Sequence, residues 1–251
     1  MTRLISRIRN IGWKILEERD NILVLKKGDR MIMKYNSITY SIFDYDKLYT
    51  HFYYDYFIPL AYVHKNPKVL IIGLGGGAVP FQLDRLLGSN ITMESVDTDR
   101  DIVEIARKYF IGDIKMKTHV ADGAEFVAGL KNEYDLIILD AFKNVEMPKA
   151  FKDEKFIKEA KAALKDGGIL VINSILKVED LLTYTEKLRK EFDVTSFEPS
   201  LFLDNTMIVC IKNMTRKEML DKMKANMSVT PENRFLMDRY EVVFREGLKN
   251  P

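Results

Sequence analysis

The sequence has one cysteine, Cys210, in 251 residues. A single thiol excludes an internal disulfide framework and any zinc cluster built on cysteines. Cys210 falls in the apolar run Met207-Ile208-Val209-Cys210-Ile211 and reads as a buried structural thiol. Histidine is scarce too: His51, His64 and His119 show no metal-ligand spacing, so no metal site is expected. No apolar run approaches the roughly 18 residues that a membrane span needs. Met1 to Gly12, interrupted by Arg3, Arg7 and Arg9, lacks the apolar stretch of a secretory signal. An excess of one charge is also missing. Lys+Arg 39 against Asp+Glu 37 leaves a net charge of +2, which gives no electrostatic reason to expect nucleic acid or an anionic membrane as partner. These absences point to a cytoplasmic protein.

What is present is an ordinary globular composition, 47% hydrophobic and 30% charged, in a chain long enough for one large domain and a small appendage. Between Gly12 and Phe43, short runs at Trp13–Leu16, Ile22–Leu25, Met31–Tyr35 and Ile38–Phe43 are separated by turn formers. That spacing predicts a small antiparallel sheet of hairpins over residues 1–45. Asp46 to Val63 reads as an aromatic-rich helix on which Tyr49, Tyr53 and Tyr56 share a face.

From Lys68 onward, strand and helix patterns alternate. Strands are expected at Lys68–Ile72, Ile91–Val96, Ile114–Val120, Leu136–Leu139 and Gly168–Ile172, each followed by a helix. Continuous apolar runs such as Leu136-Ile137-Ile138-Leu139 suit a parallel sheet covered on both faces. Val194–Phe197 and Met207–Ile211 follow with no helix between them, which predicts an antiparallel end to a seven-stranded, mostly parallel sheet. The fold expected for residues 46–213 is therefore α/β, the methyltransferase variant of the Rossmann-like fold. Residues 214–251 read as a helical appendage of two charged helices, broken at Ser228–Pro231 and expected to serve packing or oligomer contacts.

Chemistry gathers where the strands end. Gly73-Leu74-Gly75-Gly76-Gly77-Ala78 joins the first strand to its helix, and such a loop lets backbone approach a ligand. Gly73, Gly75 and Ala78 also satisfy the pattern of nicotinamide binders, so an oxidoreductase is one rival reading. Asp97 ends the second strand, placed to accept hydrogen bonds from ribose hydroxyls; Asp99 is the better helix cap. Asp122-Gly123 ends the third, where a carboxylate can meet an adenine amino group and a glycine lets the ring pack close. Asp140 ends the fourth.

The run Lys68–Gly73 with its glycine loop, then Val96-Asp97, Ile105–Phe110, Asp122–Phe126 and Tyr134–Asp140, resembles the spermidine synthase family over roughly Ser41 to Ser174. The resemblance implies an adenosyl sulfonium cofactor, S-adenosylmethionine or its decarboxylated form. It puts Gly73, Gly75, Gly76 and Gly77 at the cofactor, Asp97 on the ribose and Asp122 with Gly123 on the adenine. Asp140 matches the catalytic aspartate. Tyr49 and Tyr53 are the candidates to line an acceptor pocket, and a homodimer or tetramer is implied.

Departures from the family pattern shape the functional expectation. Aminopropyltransferases carry an aspartate where this chain has Gly76, and a second acidic residue after the fourth strand where it has Ala141-Phe142-Lys143-Asn144. A decarboxylated donor brings an ammonium and wants an anion, whereas intact S-adenosylmethionine carries its own carboxylate. These losses favour methyl transfer to a small-molecule acceptor, with an amine one candidate. The alternatives are a polyamine aminopropyltransferase and a non-catalytic nucleoside-binding module.

Overall fold

The computed structural model describes residues 12–36, 38–142, 146–199 and 205–246. Arg3, Arg7, Arg9, Lys143 and Asn144 lie outside the described residues.

Four strands, β1 (Lys14–Arg19), β2 (Ile22–Lys27), β3 (Arg30–Tyr35) and β4 (Ile38–Asp44), form an antiparallel meander in the order β1-β2-β3-β4. Alternation buries Met31, Met33 and Phe43 on one face. A charge cluster ties the meander to the larger domain. Arg19 Nη1 donates to Asp101 at 2.8 Å and to Glu104 at 2.9 Å, while Lys108 and Tyr109 donate to Glu17 at 2.6 and 2.7 Å. Those donors hold the Glu17 carboxyl down at about 2.

The second sheet has seven strands: β5 (Lys68–Ile72), β6 (Thr92–Asp97), β7 (Met116–Val120), β8 (Tyr134–Leu139), β9 (Leu164–Ser174), β10 (Asp193–Phe197) and β11 (Thr206–Ile211). Their order is β10-β11-β9-β8-β5-β6-β7. β5 to β9 run parallel, and β11 is antiparallel to both β9 and β10. This is the mostly parallel sheet with an antiparallel end expected from the strand pattern. All six residues of β8 are buried, and each large aliphatic side chain so buried contributes roughly 1.5–3 kcal/mol. Alternate residues feed two cores. Ile138, Val171, Met207 and Val209 face the core shared with the meander; Leu139, Ile172, Ile208 and Cys210 face the other. Cys210 is fully buried there, and burial pushes its thiol well up.

One expected element is corrected. Asp46 to Val63 is not a single helix: helical backbone is confined to α1, a 3₁₀ turn at Tyr53–Phe57 running into Ile58–Ala61. The cause lies in Asp55, which is fully buried. Its carboxylate accepts from the Thr50 and His51 backbone N–H groups at 2.9 and 2.7 Å and from Gln82 Nε2 at 2.6 Å. Side-chain bonds of this kind compete with helical ones, and His51 takes φ +61°, outside any right-handed helix. Tyr49 therefore leaves the face it was expected to share with Tyr53 and Tyr56.

The parallel strands are joined by α2 (Ala78–Leu87), α3 (Arg100–Tyr109), α4 (Gly123–Val127) and α5 (Glu154–Ala163), and α6 (Val178–Arg189) leads to β10. The chain closes with α7 (Arg216–Asn226) and α8 (Arg234–Glu246). Thr215 and Glu218 form a reciprocal capping box at the start of α7. Tyr240 of α8 is fully buried and its hydroxyl donates to the Tyr56 carbonyl, docking the appendage on α1.

Candidate active site

The order of the parallel strands reverses between β5 and β8, so the crevice beyond their C-terminal ends is the natural ligand site. Gly73 and Asp140 emerge there side by side: Gly73 N–H donates to Val96 O at 2.9 Å and Asp140 N–H to Ile72 O at 2.8 Å. A Cβ on Gly73 would stand 2.2 Å from the Asp140 carbonyl oxygen, and φ is +92°, so only glycine fits. Gly77, at φ +85°, begins α2.

Asp97 Oδ2 accepts from Leu74 N–H at 2.8 Å and Oδ1 from Asp99 N–H at 3.0 Å. The carboxylate thus holds the glycine loop. Burial raises its proton affinity while these backbone donors oppose the rise. Asp99 caps α3 as expected, accepting from Asp101 and Ile102. Asp122 is exposed and caps α4: Oδ1 accepts from Ala124 and Glu125 N–H at 2.8 and 3.1 Å. Its Oδ2 takes part in neither capping bond. Gly123 has a packing reason of its own, because a Cβ would lie 2.4 Å from Ile72 Cγ2.

Gly76 is tied to the meander. Its N–H donates to Ser41 Oγ at 2.8 Å, and a Cβ there would sit 2.8 Å from Ser41 Cβ. Ser41 of β4 therefore fills the space into which an aspartate side chain at position 76 would grow. Nothing in the sequence pattern links the two, which are 35 residues apart.

Asp140 directly follows β8 at this edge. Tyr53 Oη donates to it, 3.1 Å from Oδ2 and 3.3 Å from Oδ1, and Asn173 Nδ2 donates to Oδ1 at 2.9 Å. Burial pushes the Asp140 carboxyl up to about 6, with Asn173 and Tyr53 pulling the other way. Tyr53 stays protonated, since burial and the neighbouring carboxylate raise it well above the ordinary tyrosine value. A carboxylate poised near neutrality, supported by two neutral donors, can take a proton from a nucleophile.

Tyr53 meets Asp140, but Tyr49 does not join them. The Tyr49 hydroxyl faces Asn233 Nδ2 at 3.4 Å, and its ring packs edge-on to Phe235. It lines a cleft of about 1330 Å³ with His64, Asn66 and Leu87, at the opposite edge of the sheet. Asn173 and Ser41 were not singled out from the sequence. Asn173 was findable, because Ile172-Asn173 is one more strand end at the same edge; Ser41 carries no such signal. Among the described residues no cluster of three or more His, Cys, Asp or Glu could hold a metal ion, and no helix is long and apolar enough to cross a membrane.

Residues 56–203 match the family model described as the spermine/spermidine synthase domain. The chain belongs to this family. Among curated relatives, it is 37% identical over 120 residues to a polyamine aminopropyltransferase of Vibrio vulnificus, covering 46% of this chain and 40% of that one. It is 30% identical over 164 residues to one of Hydrogenobaculum, covering 61% and 55%. The chain thus spans about half the length of these relatives. A crystal structure described as a probable spermidine synthase from Corynebacterium glutamicum shares the fold, with TM-score 0.69 at 14% identity over 82% of this chain and 85% of that one.

Proposed function

We propose that this spermidine synthase family member is a cytoplasmic transferase that moves an aminopropyl group from decarboxylated S-adenosylmethionine to a small amine. The observation that carries a transferase is Asp140, a carboxyl raised to about 6 between Tyr53 and Asn173 at the switch point of the sheet. The choice of aminopropyl over methyl transfer rests on the family match and on relatives named aminopropyltransferases. This revises the lean towards methyl transfer drawn from Gly76 and the residues after Asp140.

The residues present fit an adenosyl donor. Asp97 keeps free lone pairs beside the glycine loop, and Asp122 keeps Oδ2. The donor supplies an activated carbon and a neutral thioether leaving group. The chain's own part is to align the acceptor nitrogen at about 3–3.5 Å and strip its water. With the donor bound, as an N–C bond formed and its C–S bond broke with the bonding pair leaving on sulfur, Asp140 would accept the proton lost by nitrogen. Tyr53 and Asn173 keep the carboxylate turned to that proton.

One observation favours a second reading. With Ser41 against Gly76, the family's usual anion for the donor's ammonium is absent at that position, which suits an intact S-adenosylmethionine and methyl transfer. Incubating the protein with each donor and with putrescine or spermidine, then measuring products by mass spectrometry, separates the two. Methylthioadenosine with a lengthened polyamine supports the proposal. S-adenosylhomocysteine with a methylated acceptor overturns it.

A further inference from the structure

The strand register places a second amide behind Asn173. β8 and β9 pair Ile138 with Val171 and Leu139 with Ile172, so Asp140, one residue past β8, lies beside Asn173 of β9. Across the antiparallel pair, Asn173 stands opposite Met207 and Ser174 opposite Thr206. Side chains alternate along a strand, so Asn205, two residues before Met207, points to the same face as Asn173. Both amides are buried, Asn173 at 1% exposure and Asn205 at 8%. Asn205 Nδ2 donates to Asn173 Oδ1 at 2.9 Å, and Asn173 Nδ2 donates to Asp140 Oδ1 at 2.9 Å.

We propose that Asn205 is a positioning residue: by engaging the carbonyl oxygen of Asn173, it holds that amide in the orientation that aims N–H at Asp140. The two ends of an asparagine amide are nearly the same shape, but one donates and the other accepts. Released from Asn205, Asn173 could turn its oxygen to a protonated Asp140 and accept from it, which would favour the acid over the base. With the oxygen already engaged, only the donor end is available and the ionised carboxylate is the form supported. Among the described residues, the other groups facing Asp140 are the phenol of Tyr53 and, behind it, that of Tyr54, whose hydroxyl is committed to Ile42 O at 2.9 Å. Neither phenol can impose the same choice, because a hydroxyl rotates between donor and acceptor. This inference rests on the reading of Asp140 as the base.

The test uses two neutral variants, Asn205→Ala and Asn205→Leu, in the full chain. Asp140 is titrated by carboxyl ¹³C NMR, its resonance identified by loss in Asp140→Asn. In parallel, kcat/KM is measured against pH with decarboxylated S-adenosylmethionine and putrescine. The expected result is an upward move of the Asp140 midpoint by about one pH unit in both variants, as for loss of a hydrogen bond to the charged form. The acid limb of the rate profile should follow it, and methylthioadenosine affinity should stay within about twofold of wild type, since the donor residues are untouched. An unmoved midpoint in a folded variant overturns the proposal, even if activity falls at every pH, because that is the signature of a packing role. If the midpoint moves and the rate profile does not, the positioning role stands and Asp140 is not the base. Should Asn205→Leu fail to fold, the smaller alanine variant decides alone.

Discussion

Replacing Asp140 with asparagine should make the protein more stable and less active, and the stability gain should depend on pH. In the fold the carboxyl titrates at about 6 against an ordinary 3.8. A carboxyl whose folded value is raised favours the native state below the unfolded value, and that benefit is lost as pH rises through the folded one. The gap corresponds to about 3 kcal/mol lost between pH 3.8 and 8, as an upper figure. Asparagine can keep both partners: its oxygen accepts from Asn173, and its amide donates to a Tyr53 hydroxyl that has turned. With allowance for the polar burial that remains, the variant should gain about 2 kcal/mol at pH 8, or roughly 4–8 °C in Tm. At pH 4 the same gap is worth only ~0.6 kcal/mol, so most of the gain should vanish. Thermal unfolding of both proteins at pH 4 and pH 8 measures this. A variant no more stable than wild type at pH 8, or equally stabilised at both pH values, refutes the account of a carboxylate held at a cost.

Other expectations follow from individual contacts. For the wild type, kcat/KM should fall as pH drops below about 6, because the base must be ionised to accept a proton; a flat profile between pH 5 and 7 contradicts this. Tyr53→Phe removes one of two donors and should lower kcat by about tenfold, on the scale of a hydrogen bond to a charged group; unchanged steady-state kinetics would remove the hydroxyl from the site. Gly76→Asp should lose roughly 1–3 kcal/mol through collision with Ser41, as overpacked sites do. The double variant with Ser41→Gly should recover most of that in urea unfolding. At low pH, protonating Glu17 should loosen the meander from α3, since its depressed carboxyl stabilises above about pH 4.5 and loses that effect as pH falls through about 2. Hydrogen exchange of β1 amides, compared between wild type and Glu17→Gln, reads it out.

How much was legible in the sequence can be judged strand by strand. The apolar runs located the eleven strands found among the described residues: central strands buried on both faces, such as β8, leave an uninterrupted signal, and the meander strands are short runs between turn formers. That the glycine loop, Asp97, Asp122 and Asp140 share one edge was also legible, because the parallel topology carries the C-terminal ends of these strands to the same side. The aromatic segment before β5 was misread, because its backbone is decided by a buried carboxylate, Asp55, whose partner Gln82 comes from another helix. Pairings between distant residues were likewise decided by tertiary structure alone. Ser41 against Gly76, Tyr53 on Asp140, and Asn205 behind Asn173 depend on how the meander, α1 and the antiparallel strands dock on the sheet. Local pattern encodes which face a residue takes and which edge it ends on. Which side chain meets it there is settled by packing, and with it the proton affinity of Asp140.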